Sequence, residues 1–443
     1  MIENLERALD VGPEIWTPAE QVGLLVRLAN ALRLSGQPVR GCDASDRALD
    51  VAAGTADPAQ VALVARSYGE VSLWQVRGYG VVDERTVSTI NRMLDMLPDD
   101  DAFNRAHLTL GLALSLYYDD DQRARGLQLI RTAADIARGV GDRGTRALEL
   151  RAQTLVESLM YLCTEPDPSE QLAVLDELEA VWADLRVRAS RTSPFDGTGV
   201  MLRGSLVRLS AGDATGLDES VAAAGRYADG RNDRVAAAFC AWARASVAFL
   251  RGRYDEAERH ASDAFELHRA LGIWGAPETY AFHLVLIRRE QHRLAELAAV
   301  VEPLLEHADA PRAHTMLGLF AVERGETDRI AALFGDDPVP RRRDFLWMVD
   351  MCLTAELAAA ARLPCTRDLY ETLLPYSRRV ATMEGTWACL GSVSHFLGLL
   401  AESMGMTAEA VEHACTGLEI DQRIGAVPWI ERSRALVERV TGG

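Results

Sequence analysis

Apolar residues recur along almost the whole chain at intervals of three and four positions, the spacing of one face of an α-helix. One amphipathic stripe runs along residues 24–32. A broader leucine stripe runs along residues 108–116 and should be buried on two sides. No stretch shows the alternation of apolar and polar residues that is typical of a half-buried strand. The pattern therefore predicts an all-helical chain.

Turn signals interrupt the helical pattern at regular intervals of roughly 33 to 46 residues. The turn positions are Gly36, Gly78, Asp120, Pro166, Gly212, Gly252, His292, Gly325, Leu363 and Gly405. Each interval has room for two helices of average length with their turns, as in helix-pair repeats. We therefore expect an all-α, tetratricopeptide-like (TPR-like) α-α superhelix, or solenoid, of about ten helix pairs.

The clearest repeat covers residues 241–271. It contains a turn glycine at Gly252, a packing aromatic at Tyr254 and alanines at positions 257 and 261, which let two helices approach closely. A glycine and two alanines with the same spacing begin at Gly405. Residues 188–198 have loop composition. The predicted division is N-terminal helical repeats at 1–187, a loop or joint at 188–198, and C-terminal TPR-like repeats at 199–443, within one continuous solenoid.

The net charge and the type of basic residue exclude several classes of function. The net charge is −18, so the concentrated basic face that binds nucleic acid is not expected. All 47 basic side chains apart from histidine are arginine. Because P-loop nucleotide sites and pyridoxal enzymes both require a lysine, neither chemistry is expected.

The other compositional signals indicate a cytoplasmic chain that works without a cofactor. Seven cysteines are scattered without the spacing of a zinc site. The N-terminus lacks a secretion signal, and no apolar run is long enough to span a bilayer. We therefore expect a cytoplasmic location, no membrane contact, no metal and no cofactor.

Two patterns are interpreted as structural. Residues 139–144 match G-x-G-x-x-G, but a helical pattern precedes them, so they are interpreted as a turn between helices and not as a dinucleotide site. An aromatic set in the N-terminal half is interpreted as core packing; its members are Trp74, Tyr79, Tyr117, Tyr118 and Tyr161.

The candidate chemistry lies in the C-terminal half. Glu384, Trp387, Gly391 and His395 are spaced i, i+3, i+7 and i+11, so on one helix they would share a stripe. Gly391 would then leave open space between Trp387 and His395.

Two earlier segments offer matching pairs. Trp347 lies three positions before Asp350, and Tyr280 lies three before His283. If these residues face a concave groove, the ligand would be bound by four of them: Trp347, Trp387, Tyr280 and Gly391. The acid–base groups would then be Glu384, His395, Asp350 and His283. The alternative is that all eight are ordinary packing and surface residues.

Several stretches of this sequence resemble one family. They are 369–376 (LYETLLPY), 388–393 (ACLGSV), 397–401 (LGLLA), 423–426 (RIGA) and 428–429 (PW), with further matches upstream, so that the resemblance covers roughly residues 15–440. The chain resembles the C-terminal TPR-like helical sensor region of actinobacterial large ATP-binding LuxR-type regulators and cyclase-linked ATPases. The resemblance implies an arm that binds a small inducer or a protein partner. Because the sequence contains no NTPase, cyclase or DNA-binding segment, we expect a free-standing arm.

Two functions therefore stand as hypotheses. The first is a TPR-like module that binds a small molecule or a protein partner in its concave groove, related to the sensor arms of transcriptional regulators. The second is a cofactor-independent enzyme of the cyclase, isomerase or dehydratase type. It would act on a polyketide-like metabolite in a repurposed sensor pocket, with the histidines and carboxylates named above transferring protons.

Overall fold

The computed structural model describes residues 1–11, 15–70, 78–140, 144–188, 197–306, 313–334, 339–340, 342–384 and 387–442. Over these ranges the chain forms 22 α-helices, one short 3-10 turn and one two-stranded sheet. The prediction of an all-helical fold is therefore confirmed for the great majority of the described chain. The expectation that it contains no strand is wrong at one place, described below.

The elements are numbered here in chain order. The first eleven helices are α1 Ile2–Asp10, α2 Pro18–Leu34, α3 Pro38–Thr55, α4 Pro58–Glu70, α5 Glu84–Met96, α6 Ala102–Ser115, α7 Arg123–Gly139, α8 Thr145–Leu162, α9 Ser169–Arg188, α10 Gly197–Ser210 and α11 Leu217–Arg231. The remaining elements are α12 Arg234–Leu250, α13 Tyr254–Ala270, α14 Ala276–Glu290, α15 Ala295–Glu306, α16 Ala313–Arg324, α17 Thr327–Phe334, α18 Trp347–Ala361, α19 Thr366–Leu373, the 3-10 turn Leu374–Tyr376, β1 Val380–Met383, β2 Ala388–Ser392, α20 Val393–Ser403, α21 Thr407–Ile424 and α22 Val427–Thr441.

The predicted turn positions all lie between helices. Five of them are glycines with positive φ, a conformation that costs glycine no steric strain; they are Gly36, Gly212, Gly252, Gly325 and Gly405. The prediction of these turns is therefore confirmed. The G-x-G-x-x-G stretch joins α7 to α8, although residues 141–143 lie outside the described residues, as do Trp74 and most of the predicted joint at 188–198.

Helix α12 shows how the sequence sets an element in place. The Asp233 side chain accepts hydrogen bonds from the backbone N–H groups of Val235 and Ala236, which caps the amino end of the helix. The apolar residues of α12 are buried almost all the way round, because the helix contacts α11 and α13 as well as α2, α10 and α22. Within the described residues, no helix is both long and apolar enough to cross a membrane.

Helices that follow one another in sequence pack together, but contacts also join distant parts of the chain. Arg33 of α2 and Asp233 form a buried ion pair with a nitrogen–oxygen distance of 3.2 Å. The Tyr79 hydroxyl donates a hydrogen bond to Asp344 at 2.6 Å. These contacts fix the N-terminal helices against the centre of the molecule.

The sheet is an antiparallel hairpin enclosed by helices. Its strands pair Val380 with Ser392 and Met383 with Ala388, and every residue of β2 is buried. The hairpin contacts α10, α12, α18 and α21, so both halves of the chain meet at it. The predicted single helical stripe through residues 384–395 is therefore wrong, because only His395 of that set lies in a helix.

The ion pair between Arg33 and Asp233 gives the first prediction. We expect Asp233→Ala to lower the free energy of unfolding by about 3 kcal/mol, because it leaves a buried guanidinium without its carboxylate and α12 without its cap. Urea denaturation followed by circular dichroism measures the loss. The matched control is Asp218→Ala, which removes a half-exposed partner of Arg251 and should cost less than about 1 kcal/mol. Equal losses in both variants would contradict the claim that the buried ion pair stabilises the fold more than the half-exposed one.

Candidate functional site

A groove of about 530 Å³ lies at the C-terminal end of the molecule, between α16, α18, α20 and α22. Its lining residues are Val322, Glu356, Ala359, Ala360, Arg362, His395, Leu399, Glu402, Ser403, Arg432, Ala435, Leu436 and Arg439. The volume falls within the range of small-molecule sites in proteins. Small side chains on α18 and α22 leave the space open, so the sequence creates the groove by placing alanines where the helices face each other.

One part of the groove is an ion-pair network. Arg432 contacts Glu290 at 2.9 Å and Glu356 at 3.3 Å, and Arg289 contacts Glu356 at 3.1 Å. Burial would raise the pKa of Glu356, but Arg289 and Arg432 outweigh it and hold that pKa below its ordinary value. The Glu356 carboxylate is therefore ionised and fully engaged by arginines.

The rim of the groove carries an excess positive charge. Arg439 is paired with Glu402 at 2.6 Å. Arg362 is exposed, lines the groove and has no carboxylate within ion-pair distance among the described residues. With the other charges paired, Arg362 leaves the rim suited to an anionic group.

The ring of His395 lies at the inner wall of the groove. The residue is only 3% exposed, and its ring contacts Phe396 and Trp429 edge-on at 5.2 and 5.7 Å between centroids. Nδ1 lies 3.1 Å from the Ser433 hydroxyl, while Nε2 has no hydrogen-bond partner in the described part of the chain. Burial, followed by the charge of Arg432, lowers the pKa of His395 to about 3. The groove therefore presents an uncharged imidazole.

The other residues of the predicted C-terminal set do not line the groove. Gly391 has a φ of +69°, and a Cβ there would lie 2.5 Å from Cγ of Trp429. The open space predicted beside Gly391 is thus filled by the Trp429 ring, and that prediction is wrong. Trp387 is buried, and its carbonyl accepts a hydrogen bond from the Ser246 hydroxyl at 2.8 Å.

Glu384 belongs to a separate, enclosed site. Its carboxylate is buried 3.9 Å from Arg203, which also contacts Glu157 at 3.4 Å. The cavity beside it has a volume of about 10 Å³ and is also lined by Cys163 and Asp344. That space matches about one water molecule and is too small for an organic ligand. Glu384 and His395 therefore line different cavities.

Three residues of the two upstream pairs are buried, and Tyr280 is half-buried. The Trp347 indole donates to the carbonyl of Pro340 at 3.1 Å, and Asp350 is buried, with only 8% of its surface exposed. Tyr280 stacks on Phe265, and the buried ring of His283 stacks on Trp242, each at 4.9 Å between centroids. Neither pair lines the groove. The predicted convergence of all eight residues on one pocket is therefore wrong.

Sequence inspection did not single out the charged residues of the groove. Arg432, Leu436 and Arg439 are spaced i, i+4 and i+7 on α22, and Glu356 and Ala360 are four apart on α18. The feature in the sequence that could have indicated the groove is this face of α22, on which arginines alternate with apolar residues. Such a face is ordinarily solvated, and nothing local to α22 showed that Arg432 pairs with Glu356 of α18 across a groove.

The known proteins give no guide to the function of this site. No protein-family model matches the chain, and no curated protein matches it. Among the described residues, no three histidine, cysteine, aspartate or glutamate side chains are placed so that they could hold a metal ion.

The enclosed carboxyl gives a pH-dependent prediction. Burial raises the pKa of Glu384 from 4.5 to about 7, against the opposing charge of Arg203. The folded chain therefore keeps this proton between about pH 4.5 and 7, where the unfolded chain has lost it, so stability from this group falls as the pH rises through that window. We expect Glu384→Gln, which stays neutral, to raise the free energy of unfolding at pH 8 by on the order of 3 kcal/mol and to leave it unchanged near pH 4.5.

Urea denaturation at the two pH values measures the difference. Glu323→Gln, at an exposed position of α16, is the control and should behave like the parent chain at both. Destabilisation of Glu384→Gln at pH 8 would show that the ionised carboxylate is a favourable partner of Arg203, contrary to the raised pKa.

Proposed function

We propose that this chain is a TPR-like helical-repeat binding protein that takes a small amphipathic anion in its C-terminal groove. The observation that carries the proposal is the groove itself, about 530 Å³ in volume, with apolar side chains on its walls and Arg362 at its rim. Sites of this size usually combine an apolar lining with a few convergent polar groups. An apolar body packed on Leu399 and Ala435, with an anionic head at Arg362, fits this distribution.

The regular turns support the helix-pair repeat. His292 and Arg362 also have positive φ, of 56° and 53°, so seven of these turns contain a residue with positive φ, as the five turn glycines do. Consecutive helices also pack in order along the chain. A solenoid of this kind positions ligands on surfaces shared by several repeats, and the groove draws its lining from four helices.

The sequence resemblance supports a sensor-type role. The C-terminal stretches that resemble the sensor arms of LuxR-type regulators and cyclase-linked ATPases lie in α19 and the 3-10 turn, in β2, in α20, and where α21 ends and α22 begins. Helix α20 supplies His395 and Leu399 to the groove. We infer that ligand binding here changes the affinity of the chain for a protein partner. The acidic surface favours a basic one.

A second function, a cofactor-independent enzyme, is favoured by one observation. His395 lines the groove, its imidazole is uncharged, and its Nε2 atom has no hydrogen-bond partner among the described residues, so this atom can accept a hydrogen bond or a proton from a bound molecule. Of the residues predicted to transfer protons, His395 alone lines the groove. A cyclase, isomerase or dehydratase would therefore depend on this imidazole, with Glu384, Asp350 and His283 serving the fold.

Two fluorescent probes test the binding function. We expect 8-anilinonaphthalene-1-sulfonate to bind the native chain with saturable fluorescence. Arg362→Gln should weaken that binding about tenfold, because it removes a charge-assisted contact to the sulfonate. Binding of N-phenyl-1-naphthylamine, which has the same rings without the sulfonate, should be unchanged in this variant. Fluorescence titration measures both affinities.

A pair of size variants locates the site. Ala435→Phe places a ring in the groove and should abolish binding of both probes, whereas Ala408→Phe, on an exposed part of α21, should leave both affinities as they are. The proposal fails if Ala435→Phe, folded by circular dichroism, still binds both probes like the parent chain.

A further inference from the structure

A buried chain of hydrogen bonds leads from the groove into the protein. Nδ1 of His395 lies 3.1 Å from the Ser433 hydroxyl, and that hydroxyl lies 2.8 Å from Oδ2 of Asp421. The other carboxyl oxygen accepts the backbone N–H of Ser392 at 2.7 Å. Asp421 and Ser433 are fully buried, and the three side chains come from three different helices, α20, α21 and α22.

The protonation state of Asp421 decides the direction of every bond in this chain. An ionised carboxylate can only accept, so Ser433 then donates to Asp421 and must accept from Nδ1–H of His395. Nε2 is left as a bare acceptor at the groove. A protonated Asp421 instead donates to Ser433, whose hydroxyl then donates to Nδ1, so that the ring proton sits on Nε2.

Burial of Asp421 allows this reversal near neutral pH. Burial raises the pKa of Asp421 to about 7, although the hydrogen bonds from Ser433 and Ser392 oppose the rise. The ionisable neighbour of Asp421 on β2 is the Cys389 thiol, whose own pKa is raised by burial to about 12, so this thiol stays protonated.

The imidazole itself stays neutral over the same range. The charges acting on His395 are Arg432 and Arg439 from α22, Arg289 from α14 and Glu356 from α18. With burial, the three arginines outweigh Glu356 and keep the ring pKa near 3. Between about pH 5 and 9 the ring can therefore change only its tautomer, not its net charge.

We propose that His395, Ser433 and Asp421 form a proton relay that opens into the groove at Nε2, and that the groove accepts molecules with a weakly acidic O–H group, such as phenols or enols. The ligand part of the proposal rests on the proposed binding function, whereas the relay is a property of the chain alone.

The transfer balances within the relay. The O–H bond of the bound molecule breaks, its electron pair stays on that oxygen, and the proton bonds to Nε2. The Nδ1 proton moves to Ser433 Oγ as the Ser433 hydroxyl proton moves to Oδ2 of Asp421. The anion formed lies beside Arg432, which lines the same groove. Return of the proton along the same path restores the starting state.

Nitrogen-15 NMR of histidine-labelled protein tests the relay without any ligand. We expect the His395 signals, assigned by their loss in His395→Gln, to show a neutral ring throughout and to change from the Nε2–H tautomer at pH 5.5 to the Nδ1–H tautomer at pH 8.5. Asp421→Asn, whose amide takes the place of the protonated carboxyl, should hold the Nε2–H tautomer at both pH values. Ser433→Ala should abolish the pH dependence.

The control is Ser403→Ala, which lies in the same groove but bonds only to the carbonyl of Leu400 in its own helix, and its tautomer change should match the parent chain. A single tautomer across the range in the parent chain overturns the relay. A change that persists in Ser433→Ala overturns it as well.

The chromophore 4-nitrophenol tests the ligand part, because its ionised form absorbs at longer wavelength. At pH 6.5 we expect the parent chain to increase the ionised fraction over that in buffer, and Ser433→Ala to abolish the increase while it still binds the anilinonaphthalene probes. An increase that is equal in Ser433→Ala, or absent in the parent chain, overturns the proton transfer. Failure of all the probes to bind overturns the proposed function and leaves the NMR result to decide the relay.

Discussion

Burial of the hairpin formed by β1 and β2 is the constraint on which the rest of the structure depends. A buried strand must satisfy its backbone polar groups, and this one does so by pairing with its partner strand and by bonds at its ends. Arg379, just before β1, donates to the carbonyls of Ser210 and Glu165, so the hairpin is joined to the N-terminal half. At its other end, Ser392 donates to Asp421 and begins α20, which places His395 at the groove.

The sequence predicted the helices and their turns because both have local causes. The helical spacing of apolar residues, and the turn made by a glycine such as Gly252, are both set by residues that are close in sequence. The hairpin was missed because β2 is buried on both faces and so lacks alternation, and a short apolar run of that kind cannot be told from a helix by periodicity. His395 was identified from its residue type. The groove around it was not, because α18 and α22 meet there only in the folded chain.

Three buried acids in the C-terminal half differ in protonation because their surroundings differ. Glu356 faces Arg289 and Arg432 and stays ionised, whereas Glu384 has one arginine at 3.9 Å and Asp421 has hydroxyl and amide donors, so burial dominates for both. Ionic bonds thus hold the groove together, while groups that can exchange a proton lie behind it. This separation lets the site change its hydrogen bonding while its ion pairs stay in place.

The all-arginine composition has a consequence for the whole electrostatic balance. A guanidinium keeps its proton at any pH a cell meets, so the cationic partner in each arginine ion pair is permanent. Alkaline conditions that would neutralise lysines leave these pairs charged. Acid, which protonates the carboxylates, is therefore the condition under which these ion pairs lose their charge.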